Sequence, residues 1–235
     1  MGGGEPTRGG EIKIWQLASG DPRGRPVLRS GTAEGGRKEA HSALPNPHSP
    51  LRTSFQPLYS FTNVHSDAVF GLDFSPDGKY LASSAADKFV KVVDLANGKV
   101  VKTFEGHTHH VLGVSWKRDG RTLASAGADN VIKVWDFVSG ERKKTIEGFS
   151  KEVTSISFIG VTDQALASSG DDQIRTLSDT GEKIRSYEGA TNFVNSASAT
   201  PDGRIVIAGG DDGVLRVWNG TNAEVIATFA PTTAR

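Results

Sequence analysis

The sequence predicts an all-β fold of repeated, four-stranded antiparallel units. Residues 123–136, LASAGADNVIKVWD, alternate apolar and polar side chains after a turn, which is typical of a strand with one buried face. Similar stretches begin at three other positions: Leu81, Leu166 and Val206. The equivalents of the tryptophan near the end of this stretch follow in steps of 42, 42 and 41 residues: Val93, Trp135, Leu177 and Trp218. A fixed period of this length indicates an array of sheet units.

Turns and strand boundaries keep the same period. SPDG at 75–78, KRDG at 117–120 and TPDG at 200–203 each lie between two β-rich runs, where their Asp and Gly residues predict hairpin turns. Four complete units therefore follow one another, approximately at 64–105, 106–147, 148–188 and 189–231. We expect four short strands in each unit, with the strand before the GH-like position outermost and the next strand innermost.

The N-terminal region holds a truncated copy of the repeat and then an insertion. GGEIKIW, residues 9–15, predicts the third strand of a partial unit, with Trp15 on that strand. The insertion contains six of the ten prolines and few apolar side chains, which predicts a mobile segment. A mildly basic docking segment with a Ser49-Pro50 site is the alternative interpretation. The expected organisation is as follows: partial strands at 1–20, the insertion at 21–57, the repeated units at 58–231 and a tail at 232–235.

Overall composition excludes several classes of function. The 235 residues carry 27 Lys and Arg against 27 Asp and Glu, so the whole chain has no electrostatic signature of nucleic-acid or anionic-membrane binding. The absence of cysteine excludes disulfides, thiolate catalysis, thiolate zinc sites and covalent haem attachment within this chain. No apolar run approaches the roughly 20 residues that cross a bilayer, and the N-terminus lacks a secretory signal core. We expect neither nucleic acid nor membrane as a partner, and the compartment stays open.

Residues 106–136, GHTHHVLGVSWKRDGRTLASAGADNVIKVWD, resemble the WD-repeat family of β-propellers, and the resemblance covers about three quarters of the chain. It implies blades whose strands are tied together by a buried, hydrogen-bonded tetrad. In this unit the tetrad positions are His107, Ser125, Asp129 and Trp135. A buried carboxylate or imidazole is costly unless its hydrogen bonds are met, and in a tetrad each group satisfies a neighbour.

The other three units depart from the tetrad pattern. The first unit carries His65, Ser83, Asp87 and Val93. The third carries Phe149, Ser168, Asp172 and Leu177 by the same alignment, and the fourth carries Ala190, Ala208, Asp212 and Trp218. We therefore expect the third and fourth blades to depend more on apolar packing than on the tetrad.

The number of units bears on whether they form a complete ring. A WD-repeat ring usually has seven blades, so the resemblance implies an incomplete ring of four full blades and one partial N-terminal blade. We favour a C-terminal part of a longer propeller over strands supplied by another chain, because residues 223–229 complete the last blade. A less specific similarity extends to the C-terminal propeller part of bacterial WD-repeat proteins with a c-type cytochrome domain. No haem motif is present here, and no cofactor is expected.

Three patterns that could carry chemistry have better structural explanations. The histidines at 107, 109 and 110 suggest a metal site, but His107 belongs to the tetrad and no further ligand completes a set. The pairs Asp171-Asp172 and Asp211-Asp212 fall in tight turns, where Asp forms local hydrogen bonds. The glycines at 4–9 lack the Lys and Ser or Thr of a phosphate loop. We expect no catalytic or metal-binding residues.

A rigid propeller that presents a face of loops predicts a non-enzymatic scaffold for protein–protein interaction. The alternative is an accessory docking domain of a larger bacterial redox or hydrolytic protein, and the full reading frame would distinguish the two. Open propeller edges would also expose apolar flanks, so self-association is a further possibility.

The resemblance also implies where a partner binds. In the family, the entrance face is lined by residues just before the innermost strand and by the residue before the tetrad Asp. In this chain the strongest candidates are His110, Glu152, Asp171, Thr191, Phe193 and Asp211. An aromatic side chain beside carboxylates favours a basic or amphipathic peptide. Phe193 has an alternative, equally weighted position, folded inward over the gap that Ala190 and Ala208 leave.

Overall fold

The chain is described by a computed structural model over residues 10–15 and 59–231. Every regular element in these ranges is a β-strand. Strands β1 (Gly10–Ile14) and β2 (Tyr59–His65) pair in a two-stranded sheet, and Trp15 follows β1 by one position. The other strands form four four-stranded sheets. The predicted all-β class, with four full blades and one partial N-terminal blade, is confirmed.

Each of the four sheets is an antiparallel meander whose strands pair in sequence order. Blade 1 contains β3 (Val69–Phe74), β4 (Tyr80–Ala85), β5 (Val90–Asp94) and β6 (Lys99–Phe104). Blade 2 contains β7 (Val111–Trp116), β8 (Thr122–Gly127), β9 (Ile132–Asp136) and β10 (Arg142–Ile146). Blade 3 contains β11 (Val153–Phe158), β12 (Gln164–Ser169), β13 (Ile174–Ser178) and β14 (Lys183–Tyr187). Blade 4 contains β15 (Val194–Ala199), β16 (Ile205–Gly210), β17 (Leu215–Asn219) and β18 (Val225–Phe229).

The predicted hairpin turns join the first and second strands of their blades. In blade 1 the amide of Gly78 donates to the carbonyl of Ser75 at 2.8 Å. Gly78, Gly120 and Gly203 have φ values of 69°, 66° and 68°, a left-handed conformation that glycine adopts without steric cost. The innermost strands of consecutive blades lie side by side, since β3 contacts β7, β7 contacts β11 and β11 contacts β15.

Apolar cores lie between consecutive blades. Val90 and Val92 of blade 1 pack against Leu123 and Trp135 of blade 2. A second cluster joins blades 2 and 3, and a third joins blades 3 and 4. Each blade therefore buries one face against the blade before it and the other against the blade after it, where one is present.

Blade 3 differs by one residue from the alignment that the sequence predicted. Ala167 pairs with Arg175 in the register in which Ser125 pairs with Lys133, so Ala167 occupies the tetrad serine position. The residue after the tetrad Asp is left-handed in every blade, with φ values of 75°, 63°, 66° and 71° at Lys88, Asn130, Asp172 and Gly213. The assignment of Ser168 and Asp172 to the tetrad was wrong, and Ala167 and Asp171 take their places.

The predicted insertion at 21–57, the tail at 232–235 and most of the 1–20 segment lie outside the described residues.

Candidate functional site

The four tetrad side chains of blade 2 meet in one hydrogen-bonded chain. Nδ1 of His107 lies 2.8 Å from a carboxylate oxygen of Asp129, and Nε2 lies 2.8 Å from Oγ of Ser125. The indole Nε1 of Trp135 donates to the same Oγ at 2.8 Å. The amide of Thr108 donates to the carboxylate at 2.9 Å. These hydrogen bonds connect the loop before β7 with β8, with the turn after β8 and with β9.

The protonation of this chain follows from its geometry. Burial lowers the pKa of His107 below its ordinary value of 6.5, so the ring is neutral near pH 7. A carboxylate can only accept, so Nδ1 carries the proton and donates to Asp129, while Nε2 accepts from the Ser125 hydroxyl. The Ser125 oxygen then accepts from Trp135. Every polar side-chain atom of this tetrad therefore has a hydrogen-bond partner, so the tetrad stabilises the contacts between the strands of blade 2.

Blade 1 keeps three of the four members. Nδ1 of His65 lies 2.9 Å from a carboxylate oxygen of Asp87, and Nε2 lies 2.8 Å from Oγ of Ser83. Val93 is fully buried at the tryptophan position and adds apolar contact without a donor. The His, Ser and Asp connection is therefore kept without the indole.

Blade 3 retains the carboxylate but loses its histidine partner. Asp171 accepts from the amide and from the hydroxyl of Ser150 through one oxygen, at 2.8 and 3.1 Å. Its other oxygen, Oδ1, is buried without a hydrogen-bond partner among the described residues. Phe149 stands at the histidine position, and the guanidinium of Arg175 lies 4.7 Å from its ring centroid. A cation–π contact thus replaces the imidazole contact.

Blade 4 replaces the histidine with an arginine from a different strand. Nη1 of Arg216 donates to Asp212 at 2.7 Å, and both side chains are about nine-tenths buried. Nε1 of Trp218 donates to the carbonyl of Glu188 at 3.0 Å instead of to a serine. Ala190 and Ala208 leave a cleft here that is too narrow to hold water. An ion pair therefore holds the place of the tetrad.

A groove of about 590 Å³ opens between the loops that precede the innermost strands. All four blades contribute to its walls. Its lining is formed by Phe70, His109, His110, Leu112, Ala128, Glu152, Thr154, Ser155, Phe193, Asn195 and Ser196. Three of the predicted partner-binding residues, His110, Glu152 and Phe193, are among them. The two phenylalanines of the lining come from the first and the last blade of the series: Phe70 from blade 1 and Phe193 from blade 4.

The groove places aromatic and acidic groups close together. The ring of His110 lies 6.0 Å from that of Phe70 and 4.4 Å from that of His109, measured between centroids. Asp211 is fixed beside the groove because Nδ2 of Asn195 donates to its carboxylate at 2.8 Å. No Lys or Arg side chain is present among the described residues that line this groove.

Asp171 holds a different position from the one predicted for it, and Thr191 lies exposed in the loop before the innermost strand of blade 4. Asp171 is the tetrad carboxylate of blade 3, and Gly170 holds the position before it. Thr191 donates through its hydroxyl to Asp212 at 3.2 Å, as part of the equivalent loop of blade 4. The sequence contained a signal for the first difference, since the Asp six residues before the tryptophan position is Asp171.

Phe193 lies in the groove and leaves the gap of blade 4 open. Its ring packs over Gly170 of blade 3, where a Cβ would come within 2.4 Å of ring carbon Cε2. It is absent from the residues around the narrow cleft at Ala190 and Ala208. Glycine at 170 therefore makes room for an aromatic side chain that remains half-buried at the groove wall.

One ring of groove residues was not among those predicted from the sequence. These occupy the second position of each innermost strand: Phe70, Leu112, Thr154 and Asn195. Their neighbours Val111, Val153 and Val194 are buried, so strand alternation turns the second position toward the groove. The alternation itself was the signal that could have identified them.

The described residues offer neither a metal site nor a membrane-spanning helix. No group of three His, Cys, Asp or Glu side chains is arranged to hold a metal ion there. Nor does the described part of the chain include a helix long and apolar enough to cross a membrane.

Known proteins share this repeat. The WD40 family model, described as WD domain, G-beta repeat, matches residues 55–94, 98–136 and 181–219. An uncharacterized WD repeat-containing protein of Synechocystis is 28% identical over 85% of the chain and 47% of its own length. The nuclear distribution protein PAC1 of Coccidioides posadasii is 31% identical over 92% of the chain and 47% of its own length. The chain spans about half the length of these curated relatives.

The matched segments agree with the geometry of the blades. The segment 98–136 begins with the outer strand of blade 1 and ends with the third strand of blade 2, so each sequence repeat links two blades. The unmatched segment 137–180 contains most of blade 3, where Phe149, Ala167 and Leu177 replace three tetrad residues. With about half of its residues matched and its sheets arranged as blades, the chain belongs to the WD-repeat family of β-propellers.

Proposed function

We propose that this chain is a non-enzymatic scaffold that binds a protein or peptide partner in the groove around Phe70, His110, Glu152 and Phe193. The observation that carries the proposal is the convergence of these side chains, one from each blade, on a groove of about 590 Å³. Protein interaction is the typical role of WD-repeat domains, and the nuclear distribution relative belongs to the same family.

The chemistry of the groove favours a basic or amphipathic segment. Phe70 is 49% exposed, so its ring is available for contact without any rearrangement of the sheet. Glu152 and Asp211 provide carboxylates at the wall and rim, with no lysine or arginine in the described lining. A peptide that places an apolar side chain between the aromatic rings and a Lys or Arg beside the carboxylates would satisfy both features.

The proposal can be tested with peptides selected from a random display library on the 235-residue chain. We expect the selected peptides to combine basic and apolar residues. Phe70→Ala and Phe193→Ala should each weaken their binding at least about tenfold, because buried aromatic anchors dominate interface energies. The pair Glu152→Gln with Asp211→Asn should reduce both the affinity and its dependence on salt, because charge attraction is screened by ions.

A matched control is available on the same strand. Phe74 is 50% exposed, like Phe70, but it lines a separate groove at the other end of β3. Phe74→Ala should therefore leave the affinity unchanged. Selection of acidic peptides, or unchanged affinity in both the Phe70 and the Phe193 variants with folding intact, would place the binding site elsewhere.

A further inference from the structure

The imidazoles of His109 and His110 lie side by side in one wall of the groove. Their ring centroids are 4.4 Å apart, and the ring of His110 lies 6.0 Å from that of Phe70. Both histidines belong to the loop that leads into β7, and both contribute to the groove lining. His109 is exposed and His110 is half-buried, so a segment bound in the groove has access to the pair.

The ring nitrogens of this pair differ from those of the two tetrad histidines. In His65 and His107, each ring nitrogen lies 2.8 to 2.9 Å from a carboxylate or hydroxyl oxygen. Within the described residues, neither His109 nor His110 forms a side-chain hydrogen bond or an ion pair. A neutral imidazole has one donor and one acceptor, and an imidazolium has two donors. The pair therefore has hydrogen-bonding capacity that the folded chain does not use.

The two ends of the groove carry different polar groups. Blades 1 and 2 contribute the imidazoles, whereas blades 3 and 4 contribute Glu152 and Asn195, whose amide holds Asp211 at 2.8 Å. Glu152 is the sole carboxylate among the described residues of the lining. Exposed charges on neighbouring loops and turns lie outside the lining: Asp67 and Lys88 in blade 1 and Lys151 in blade 3. A bound segment therefore meets carboxylates at one end of the groove and imidazoles at the other.

Protonation changes the charge of the imidazole end under mild conditions. Imidazole is the side chain that ordinarily gains a proton between about pH 8 and about pH 5. Two imidazolium rings at a centroid distance of 4.4 Å repel each other, and a carboxylate placed beside them offsets that repulsion. Binding of a carboxylate and uptake of protons therefore favour each other, and this coupling is reciprocal.

We propose that His109 and His110 recognise a carboxylate of the bound partner, so that the groove selects a segment with an acidic residue at one end and a Lys or Arg at the other. This preference rests on the proposed peptide-binding function and adds the orientation of the peptide. The basic residue lies beside Glu152 and Asp211, an apolar side chain lies between the two phenylalanines, and the acidic residue lies at the loop before β7. Affinity for such a segment increases as the pH falls and the imidazoles become charged.

A matched pair of peptides tests this orientation. The starting point is a selected peptide whose binding to the full chain requires Phe70 and Phe193. Two versions, both with an amidated C-terminus, carry Glu or Gln on the side of the apolar anchor away from the basic residue. The Glu peptide should bind at least about threefold more tightly at about pH 5.5 than at about pH 8, as expected for exposed ion pairs, and the Gln peptide should not. Calorimetry in buffers with different ionisation enthalpies should show proton uptake with the Glu peptide.

Three variants assign the effect to the histidine pair. His109→Gln with His110→Gln should bind both peptides equally at both pH values. His109→Lys with His110→Gln keeps a positive charge throughout, so it should prefer the Glu peptide at both pH values without proton uptake. Lys88→Gln removes an exposed cation outside the lining and should behave as the wild type does. Circular dichroism at both pH values establishes that all three variants are folded.

The outcomes distinguish this preference from the underlying binding function. Equal pH dependence for the Glu and Gln peptides, or the same response in the wild type and in the double glutamine variant, would overturn the preference and leave peptide binding in place. Selected peptides whose binding does not require either phenylalanine would overturn both.

Discussion

Blades 2 and 4 solve the same structural problem with different side chains. In blade 2 the carboxylate of Asp129 is matched by an imidazole that continues to a serine and an indole. In blade 4 the carboxylate of Asp212 is matched by Arg216 of β17, and the indole of Trp218 donates to a main-chain carbonyl. Both blades thus have the same carboxylate at the same turn, but different side chains donate to it.

The feature common to all four blades is the carboxylate and its main-chain contact. Asp87, Asp129, Asp171 and Asp212 each accept from the amide of the residue 21 positions earlier, at 3.2, 2.9, 2.8 and 3.4 Å. This hydrogen bond ties the loop that leads into the innermost strand to the turn that follows the second strand. The side chain that donates a further hydrogen bond to this carboxylate is a histidine in blades 1 and 2 and an arginine in blade 4, and blade 3 has neither. The carboxylate and its turn are therefore what repeats from blade to blade.

The largest expected effect comes from removal of the blade 2 carboxylate. Asp129→Ala leaves the His107 Nδ1–H and the Thr108 amide without their acceptor, and should lower the free energy of unfolding by on the order of 2 kcal/mol. Chemical denaturation measures the change. A loss below about 0.5 kcal/mol, the usual range for surface substitutions, would mean that the tetrad contributes little to blade 2.

Blades 1 and 2, which contain the tetrad histidines, should make the free energy of unfolding depend on pH in a higher range than blade 4 does. Burial lowers the pKa values of His65 and His107 below 6.5, so the unfolded chain takes up protons first as the pH falls below 6.5. The free energy of unfolding should therefore decrease from pH 6.5 downward until the folded-state pKa values are reached. Denaturation midpoints measured across this range for the wild type and for His65→Gln with His107→Gln provide the test, and equal slopes in both would contradict it.

Blade 4 should respond only at lower pH. Hydrogen bonding from the amide of Val214, followed by the contact with Arg216, lowers the pKa of Asp212 below 3.8. The stabilisation from this carboxylate is thus present above pH 3.8 and is lost as the pH falls through the folded-state pKa. In Arg216→Met the folded-state pKa of Asp212 should move back toward 3.8, so denaturation midpoints measured below pH 3.8 should fall less steeply than in the wild type.

A double-mutant cycle tests whether the ion pair in blade 4 replaces the tetrad. The two side chains are mostly buried and in direct contact, so Asp212→Asn and Arg216→Met should show a coupling energy of about 1 kcal/mol. The sequence alone suggested that Asp212 matters less than Asp129, because Ala190 and Ala208 replace two tetrad members. The observed ion pair reduces that difference. Additive effects of the two changes would restore the original expectation.

The smallest effect concerns a glycine that differs between the two blades. A Cβ at Gly209 of blade 4 would meet no atom within 4 Å, and the equivalent residue of blade 2 is Ala126. Gly209→Ala should therefore stabilise the chain by about 0.5 kcal/mol, through the lower entropy of the unfolded state. The contrasting change is Gly127→Ala, whose Cβ would collide with Asp129 and with His107 Nδ1 and should destabilise blade 2. Thermal denaturation of both variants should show a higher melting temperature for Gly209→Ala and a lower one for Gly127→Ala than for the wild type.

The amino-acid sequence by itself determined the repeat and the class of fold, and its resemblance to the WD-repeat family indicated the tetrad of blade 2. Alternation of apolar and polar residues is a local signal, since successive side chains on a strand point to opposite faces. The spacing of 41 to 42 residues between Val93, Trp135, Leu177 and Trp218 then fixed the number of complete blades. The same spacing also contained the correct carboxylate of blade 3, six residues before Leu177, although the match of the letters LAS suggested a register one residue away.

The tertiary structure decided the features that depend on contacts between distant parts of the chain. Arg216 takes over from a missing histidine because its strand passes beside the turn at Asp212, and no pattern in the sequence specifies that approach. Phe193 rests on Gly170 because consecutive blades bring the two residues together across 23 positions. The exposure of Leu215, at a position equivalent to the buried Val90, Ile132 and Ile174, depends on whether another sheet covers the face. The alternation along a strand determines on which face of the sheet a side chain lies. Only the packing of the blades determines which residues that face contacts.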